Sequence, residues 1–316
     1  MRAEDKWSGA AVCGATGGIG RALVRRLARA GVPLSLAGRN QEALEAARVE
    51  ALSLGAPQVR LCRLDLRDRQ AAAAWGQAEA DCGTDLLIVA SGVSASVEEV
   101  SRHADAGEDR SGSRMALPER EPDLLRELDV NAAGATLVAN AFVRRVLENR
   151  RRADVCGGKV GRVQVGLISS LAAMTGLAGS PGYSASKAAL RIYGEALRRL
   201  CASEGIGVTV LLPGYVESEM SRRYQGAKPF LMPADRAAAI MLNALRRNRA
   251  ECAFPAILAW GIRALSLLPE CLQGVFLKSF FFTVEPDAES CALQQGQPSQ
   301  PLSAASVRDA ERGESK

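Results

Sequence analysis

Residues 10–20 read AAVCGATGGIG, an apolar run that ends in four glycines. A short apolar run, a glycine turn and a helix-forming stretch together make a strand, a tight turn and a helix N-terminus. Such a turn suits a pyrophosphate. Glycine lets the anion approach the backbone, and the helix start offers unpaired N–H groups and the positive end of its dipole. The glycines fit two spacings. Gly14, Gly18 and Gly20 make GxxxGxG, whereas Gly14, Gly17 and Gly20 make GxxGxxG. Both spacings hold dinucleotides, so residues far downstream must decide between them. The plain alternative is a glycine-rich turn that binds nothing.

Outward from this turn, strand-like and helix-like segments alternate. Residues 10–13 are followed by a helix over 19–30, a strand over 33–37, a helix over 41–54 and strands over 59–64 and 86–90. A long helix is expected over 122–147, then a strand over 163–169, a helix over 182–202, a strand over 208–212 and a short strand over 251–254. Apolar runs of this kind are strands buried on both faces, and the βαβ rhythm predicts a doubly wound parallel α/β sheet. Three segments depart from the rhythm. Residues 93–121 read as a solvated excursion, 148–161 as a surface loop with Arg150, Arg151 and Arg152, and 286–316 as a disordered tail poor in apolar residues. The expected organisation is one domain over 1–255, an apolar extension over 256–285, and the tail.

With 316 residues and 47% apolar content, the chain can bury a large core. A net charge of +5 suits an anionic cofactor, and with only 4% aromatic residues it gives no case for nucleic acid. Eight scattered cysteines and a single histidine, His103, argue against a metal site and a disulfide framework. MRAEDKW carries mixed charge and no apolar h-region, so no signal peptide is expected and the thiols read as reduced and cytoplasmic.

Two polar positions at strand ends point to the cofactor. Arg39, in SLAGRN, follows small residues where the second strand meets the adenosine ribose. A guanidinium there suits the 2′-phosphate of NADP, whereas NAD would call for an acidic residue. Asp65, in RLDLRD, is placed to accept from the adenine amino group; the alternatives are a helix-entry arginine and a solvated turn aspartate. YSASK then puts Tyr183 and Lys187 four residues apart on one helix face, thirteen residues after Ser170 at the end of LISS. Phenol, ammonium and hydroxyl can thus surround one substrate oxygen. A free tyrosine titrates near 10, and lowering it by about three pH units for acid–base work corresponds to roughly 4 kcal/mol.

Together these residues resemble the short-chain dehydrogenase/reductase family over roughly residues 8–256. The glycine motif matches at 13–20, NNAG at Val89-Ala90-Ser91-Gly92, the asparagine at Asn131 in LDVNAAG, and the PG motif at Pro213-Gly214 in LLPGYVESEM. The resemblance implies a Rossmann-like fold and hydride transfer between NADP(H) and a carbonyl or secondary alcohol. In these roles Tyr183 is the acid–base, Ser170 orients the oxygen, Lys187 holds the ribose and tunes Tyr183, and Asn131 positions a relay water. Cofactor contacts are implied at Gly14, Thr16, Gly17, Gly18, Ile19 and Gly20 in the turn. Arg39 and Asn40 follow the second strand, and Asp65 and Leu66 the third. Ser91 and Gly92 follow the fourth strand, Pro213, Gly214, Val216 and Ser218 lie near the nicotinamide, and Tyr183 and Lys187 complete the set. The Ser170–Tyr183 spacing and the PG motif select GxxxGxG over the spacing of extended epimerases and dehydratases.

Two departures stand out. Cys13 replaces a threonine that braces the turn, and the fourth strand lacks both asparagines. A second functional class, a non-catalytic NADP(H) sensor or assembly subunit, remains as the alternative. The loop over 219–233 brings Arg222, Arg223 and Lys228 beside Tyr224, Phe230 and Leu231, which fits an anionic or acyl-bearing substrate or a solvated basic lid. For the apolar stretch 256–285, three readings compete: a homo-oligomer interface, peripheral contact with the inner face of a membrane, and a pocket lid. It is too interrupted to span a bilayer.

Overall fold

The computed structural model describes residues 7–101, 114–155, 161–269, 271–273 and 283–294. Its first half runs β1 (Ala10–Cys13), α1 (Gly18–Arg29), β2 (Leu34–Gly38), α2 (Gln41–Ser53), β3 (Val59–Arg63), α3 (Arg69–Asp81) and β4 (Leu86–Val89). After a small antiparallel pair, β5 (Glu98–Ser101) and β6 (Arg114–Leu117), come α4 (Glu121–Glu127), a π-helical turn at Leu128–Gly134, α5 (Ala135–Val155) and β7 (Val163–Ile168). The remainder is α6 (Pro181–Leu200), β8 (Ile206–Pro213), α7 (Glu219–Arg223), β9 (Tyr224–Gln225), α8 (Ala234–Arg246), β10 (Glu251–Phe254), α9 (Ala256–Leu265), β11 (Thr283–Val284) and α10 (Ala288–Gln294).

Seven strands form one parallel sheet in the order β10-β8-β7-β4-β1-β2-β3. Chain direction across the sheet reverses between β1 and β4. The carboxyl ends of strands at such a switch point open a crevice for ligands. The sheet is Rossmann-like, as expected, and both of its faces are covered. Alternation along β1 divides the core: Ala10 and Val12 face a cluster with Leu23, Leu27 and Leu44, plus Met241 and Leu245 from α8. Ala11 and Cys13 face the other cluster, with Trp75, Val138, Phe142 and Leu190 from α3, α5 and α6.

Several elements differ from the expectations. Helix α3 was not foreseen, because RQAAAAWGQAEAD has little contrast between its faces, and no helix was expected at α8 either. The expected 122–147 helix begins at Glu121, passes through the π-helical turn and continues to Val155, so most of the predicted 148–161 loop is helical. Arg150 is buried and donates to Gly161 O at 2.9 Å. The excursion over 93–121 contains the β5–β6 pair, and the first part of the segment read as a tail forms α10, docked on the body. His103 and the SFFF stretch with Lys278 lie outside the described residues. Among the described residues, no helix is long and apolar enough to cross a membrane and no cluster suits a metal ion. The seven described cysteines are free thiols.

Phe142 is the largest of the fully buried side chains and joins α5 to the sheet. Phe142→Ala should cost about 3–5 kcal/mol of stability, read by chemical denaturation, because the surrounding backbone relaxes only in part.

Candidate active site

The turn after β1 settles the glycine spacing sterically. Gly14 has φ +79°, and a Cβ there would stand 2.6 Å from Ser91 N; one on Gly18 would stand 2.6 Å from Ser218 Cβ; and one on Gly20 would collide with Gly14 O. At Gly17 the nearest atom to a Cβ is 3.6 Å away, an ordinary contact. Gly14, Gly18 and Gly20 are therefore obligatory, and Gly17 is free to vary. Gly17 caps α1 with no side-chain hydrogen bond, and the first turn of α1 carries no acidic residue. Unpaired N–H groups and an uncovered backbone fit a dinucleotide pyrophosphate.

The change at Cys13 is answered from the position just after the two missing asparagines. Cys13 Sγ and Ser91 Oγ share a hydrogen bond of 3.2 Å, so the substituted positions brace β1 against β4 directly. Burial pushes the Cys13 thiol up to about 12, so it is a structural group and no nucleophile.

Across the crevice, Ser170 lies two residues past β7 and caps a 3₁₀ turn at Leu171–Met174, accepting from Ala172 N at 3.1 Å. Tyr183 lies in the first turn of α6, just after Pro181 at its start, and Lys187 lies one turn on. Ser169 Oγ donates to Lys187 O at 2.7 Å and Lys187 Nζ donates to Ile168 O at 3.2 Å, which stitches the strand end to the helix. Lys187 Nζ sits 5.7 Å from the Tyr183 ring centroid. Desolvation raises Tyr183 to about 12, with a Ser170 hydrogen bond opposing it and the Glu127 carboxylate reinforcing it. Desolvation also lowers Lys187 to about 8. The lowering of Tyr183 expected from its lysine is not seen, and burial dominates the titration of both groups.

Ser170, Tyr183 and Lys187 line one cleft of about 2160 Å³ together with Thr16, Gly17, Gly18, Ile19, Gly20, Arg39 and Asn40. Gly92, Pro213, Gly214, Val216 and Ser218 line the same cleft. Its volume exceeds the roughly 300–1,000 Å³ of a usual small-molecule pocket, leaving room for a dinucleotide and a substrate side by side. Gly14, Asp65, Leu66, Ser91 and Asn131 stand behind this lining. Asp65 is buried and takes bonds from Arg67 Nε, Nη2 and backbone N, so its carboxylate is committed to that arginine. Ser218 caps α7 through a reciprocal bond with Ser221.

Asn131 is fully buried in the π-helical turn. Its Nδ2 donates to Val93 O at 2.8 Å and Ser186 Oγ at 3.0 Å, and its Oδ1 accepts from Val93 N at 2.8 Å. It ties the post-β4 loop to α6 just behind Lys187. π-Bulges of this kind concentrate at functional sites, and nothing in the apolar spacing of 122–147 signalled one.

Sequence reasoning also missed Glu127, one turn before Asn131. Its Oε1 accepts from Ala95 N at 2.6 Å, and its Oε2 is buried without a partner. Gly182 makes room for it, since a Cβ there would lie 2.5 Å from Oε2. Desolvation raises this carboxyl to about 8, with Glu119 and Asp123 adding to the effect. Only burial distinguishes Glu127 from a surface helix glutamate, and one sequence does not display burial.

The profile of the short chain dehydrogenase family matches residues 9–228, and the chain belongs to this family of oxidoreductases, whose members use NAD or NADP on CH–OH and C=O groups. An uncharacterized oxidoreductase of Myxococcus xanthus (strain DK1622) is 34% identical over 272 residues, spanning 85% of this chain and 96% of the relative. A 3-oxoacyl-[acyl-carrier-protein] reductase of Bos taurus is 26% identical, spanning 67% of this chain and 77% of the relative. The crystal structure of gox2181 aligns with a TM-score of 0.63 at 19% identity, covering 80% of this chain and 96% of that one. LigD in its apo form, from Sphingobium sp. strain SYK-6, aligns at 0.60 and 22% identity, covering 81% and 93%. At these identities the two structures attest the fold alone.

Glu127 gives the site a pH signature. Its carboxyl titrates near 4.5 when unfolded and at about 8 when folded. Between those values the native chain holds a proton that the unfolded chain releases, so stability falls as pH rises across the window. Glu127→Gln should flatten that fall, by about 1.4 kcal/mol per pH unit. Denaturant melts at pH 5 and pH 8 read the difference; parallel wild-type and variant curves would contradict a raised carboxyl.

Proposed function

We propose that the chain is an NADP(H)-dependent oxidoreductase that interconverts a carbonyl and a secondary alcohol, with Tyr183 as acid–base. The observation that carries this reading is the convergence of Ser170, Tyr183 and Lys187 on the cleft that also holds the glycine turn. When bound, the nicotinamide supplies the hydride donor or acceptor and, oxidised, a positive charge beside the phenol.

The chain's own groups do the rest. Ser170 Oγ holds the substrate oxygen within reach of the phenol, an electrostatic and orienting role. In reduction Tyr183 Oη gives its proton to that oxygen, and in oxidation the phenolate takes it back. A neutral phenol, favoured by burial, is the form that reduction requires. Lys187 Nζ, anchored on Ile168 O, faces the phenol and tunes it, and Asn131, behind Lys187, positions a water that relays protons to that lysine. Arg39 at the rim of the cleft takes the 2′-phosphate.

The substrate end is apolar. Helix α9 turns Leu258, Gly261, Ile262 and Leu265 to the cleft, facing Leu171, Leu177 and Leu231. This supports the pocket-lid reading of the extension's first part and an apolar or acyl-bearing carbonyl compound as substrate, in line with the acyl substrate named for the Bos taurus relative. Trp260 and Leu267 are exposed on the same segment and suit contact with a second copy. A cytoplasmic protein remains part of this reading.

Tyr183→Phe should leave dinucleotide binding intact and lower turnover by at least about 100-fold, followed by nicotinamide absorbance over a panel of apolar ketones. Full turnover in that variant would sink the assignment, while binding without turnover in the wild type would favour the sensor alternative. Arg39→Ala should weaken NADPH about tenfold and leave NADH unchanged, read by nucleotide fluorescence titration.

A further inference from the structure

Residues 283–294 cross the mouth of the cleft as a strap. β11 pairs antiparallel with β9, Val284 N donates to Ser96 Oγ at 2.8 Å, and Glu285 N donates to Arg223 O at 2.8 Å. Farther along, Arg126 donates twice to the Asp287 carboxylate, at 2.8 and 2.6 Å, and Ser290 Oγ donates to Asp123 at 2.6 Å. These bonds dock the strap without help from Glu289.

Glu289 does something different. Its carboxylate meets three guanidinium groups from three separate elements: Arg39 at 2.6 Å, Arg67 at 2.5 Å and Arg126 at 3.1 Å. Arg67 and Arg126 are held from behind by Asp65 and Asp287, so their positions do not depend on Glu289. Arg39 stands at the end of β2, where this fold meets the adenosine ribose, and both Arg39 and Glu289 line the cleft of the glycine turn. Three converging guanidiniums match a phosphate monoester better than a carboxylate, since the phosphate offers three oxygens and close to two charges.

We infer that Arg39, Arg67 and Arg126 form a single anion site for the 2′-phosphate of NADP(H), and that Glu289 competes for it. The strap's carboxylate then sets the ratio of affinities for the phosphorylated and unphosphorylated dinucleotides. This rests on the nicotinamide reading above and adds to it two cations and a competitor. Displacement starts at Arg39, whose side chain is 45% exposed and whose ion pair is therefore worth little, while Arg67 and Arg126, 14% and 5% exposed, keep Asp65 and Asp287 as partners when Glu289 leaves.

Glu289→Gln keeps the shape of the side chain and removes its charge. Titrations of NADPH and NADH into the full-length wild type and variant should show NADPH tightening about fivefold to tenfold, with NADH changed by less than about twofold. Glu289→Asp keeps the charge and should hold the wild-type ratio. An unchanged ratio in Glu289→Gln, an equal gain for both dinucleotides, or a matching shift in Glu289→Asp would each overturn the inference, the last two by showing a steric lid or a loosened strap. Wild-type protein that binds neither dinucleotide overturns the nicotinamide reading and this inference with it; wild-type binding with an unmoved ratio overturns the inference alone.

Discussion

The site depends on one junction, where the end of β7 is stitched to the start of α6. Ser169 holds the backbone of Lys187, and the side chain of Lys187 reaches back to the backbone of Ile168. With both ends of that lysine fixed, the first turn of α6 has a single position over the sheet edge, and Tyr183 comes to rest beside Ser170. Burial is the cost of this order: it desolvates the phenol and the ammonium and moves their titrations apart, up to about 12 and down to about 8. A pair so arranged is held mostly neutral at the phenol and is sensitive to any charge placed beside it, including the buried carboxyl of Glu127.

Much of the sheet was legible because its strands are continuous apolar runs, and the turn after β1 was legible because glycine has a steric meaning that few residues share. The tetrad was legible for a different reason: four polar residue types at fixed spacing on a predicted strand–helix frame are improbable by chance. Helix α3 escaped because alanine gives little contrast between faces, and α10 escaped because its hold on the body is ionic. Asp287, Glu289 and Ser290 read as tail composition until their partners, 161 to 250 positions away, are seen in space. Glu127 and the π-helical turn were invisible because nothing in a helical repeat reports which turn is widened or which carboxyl is enclosed.

The departures from the family's motifs show how local chemistry can be redistributed. Cys13 looks like a loss when set against the usual threonine, yet it meets Ser91, which stands at the alanine position of NNAG, and the two make their own bond. The cleft is therefore braced by a contact between two substituted positions, and Ser91→Ala alone removes it.

The arginine cluster joins Arg39 just after β2, Arg67 from the loop after β3 and Arg126 from α4 to a carboxylate at position 289. These contacts reach beyond the stretch that matches the family profile, which stops at residue 228. If the anion-site inference holds, a protein cut just before the strap would keep Ser170, Tyr183 and Lys187 and still differ in its choice of cofactor. A purification tag fused behind the strap sits at the same lever, so the placement of the tag belongs among the variables of any assay on this chain.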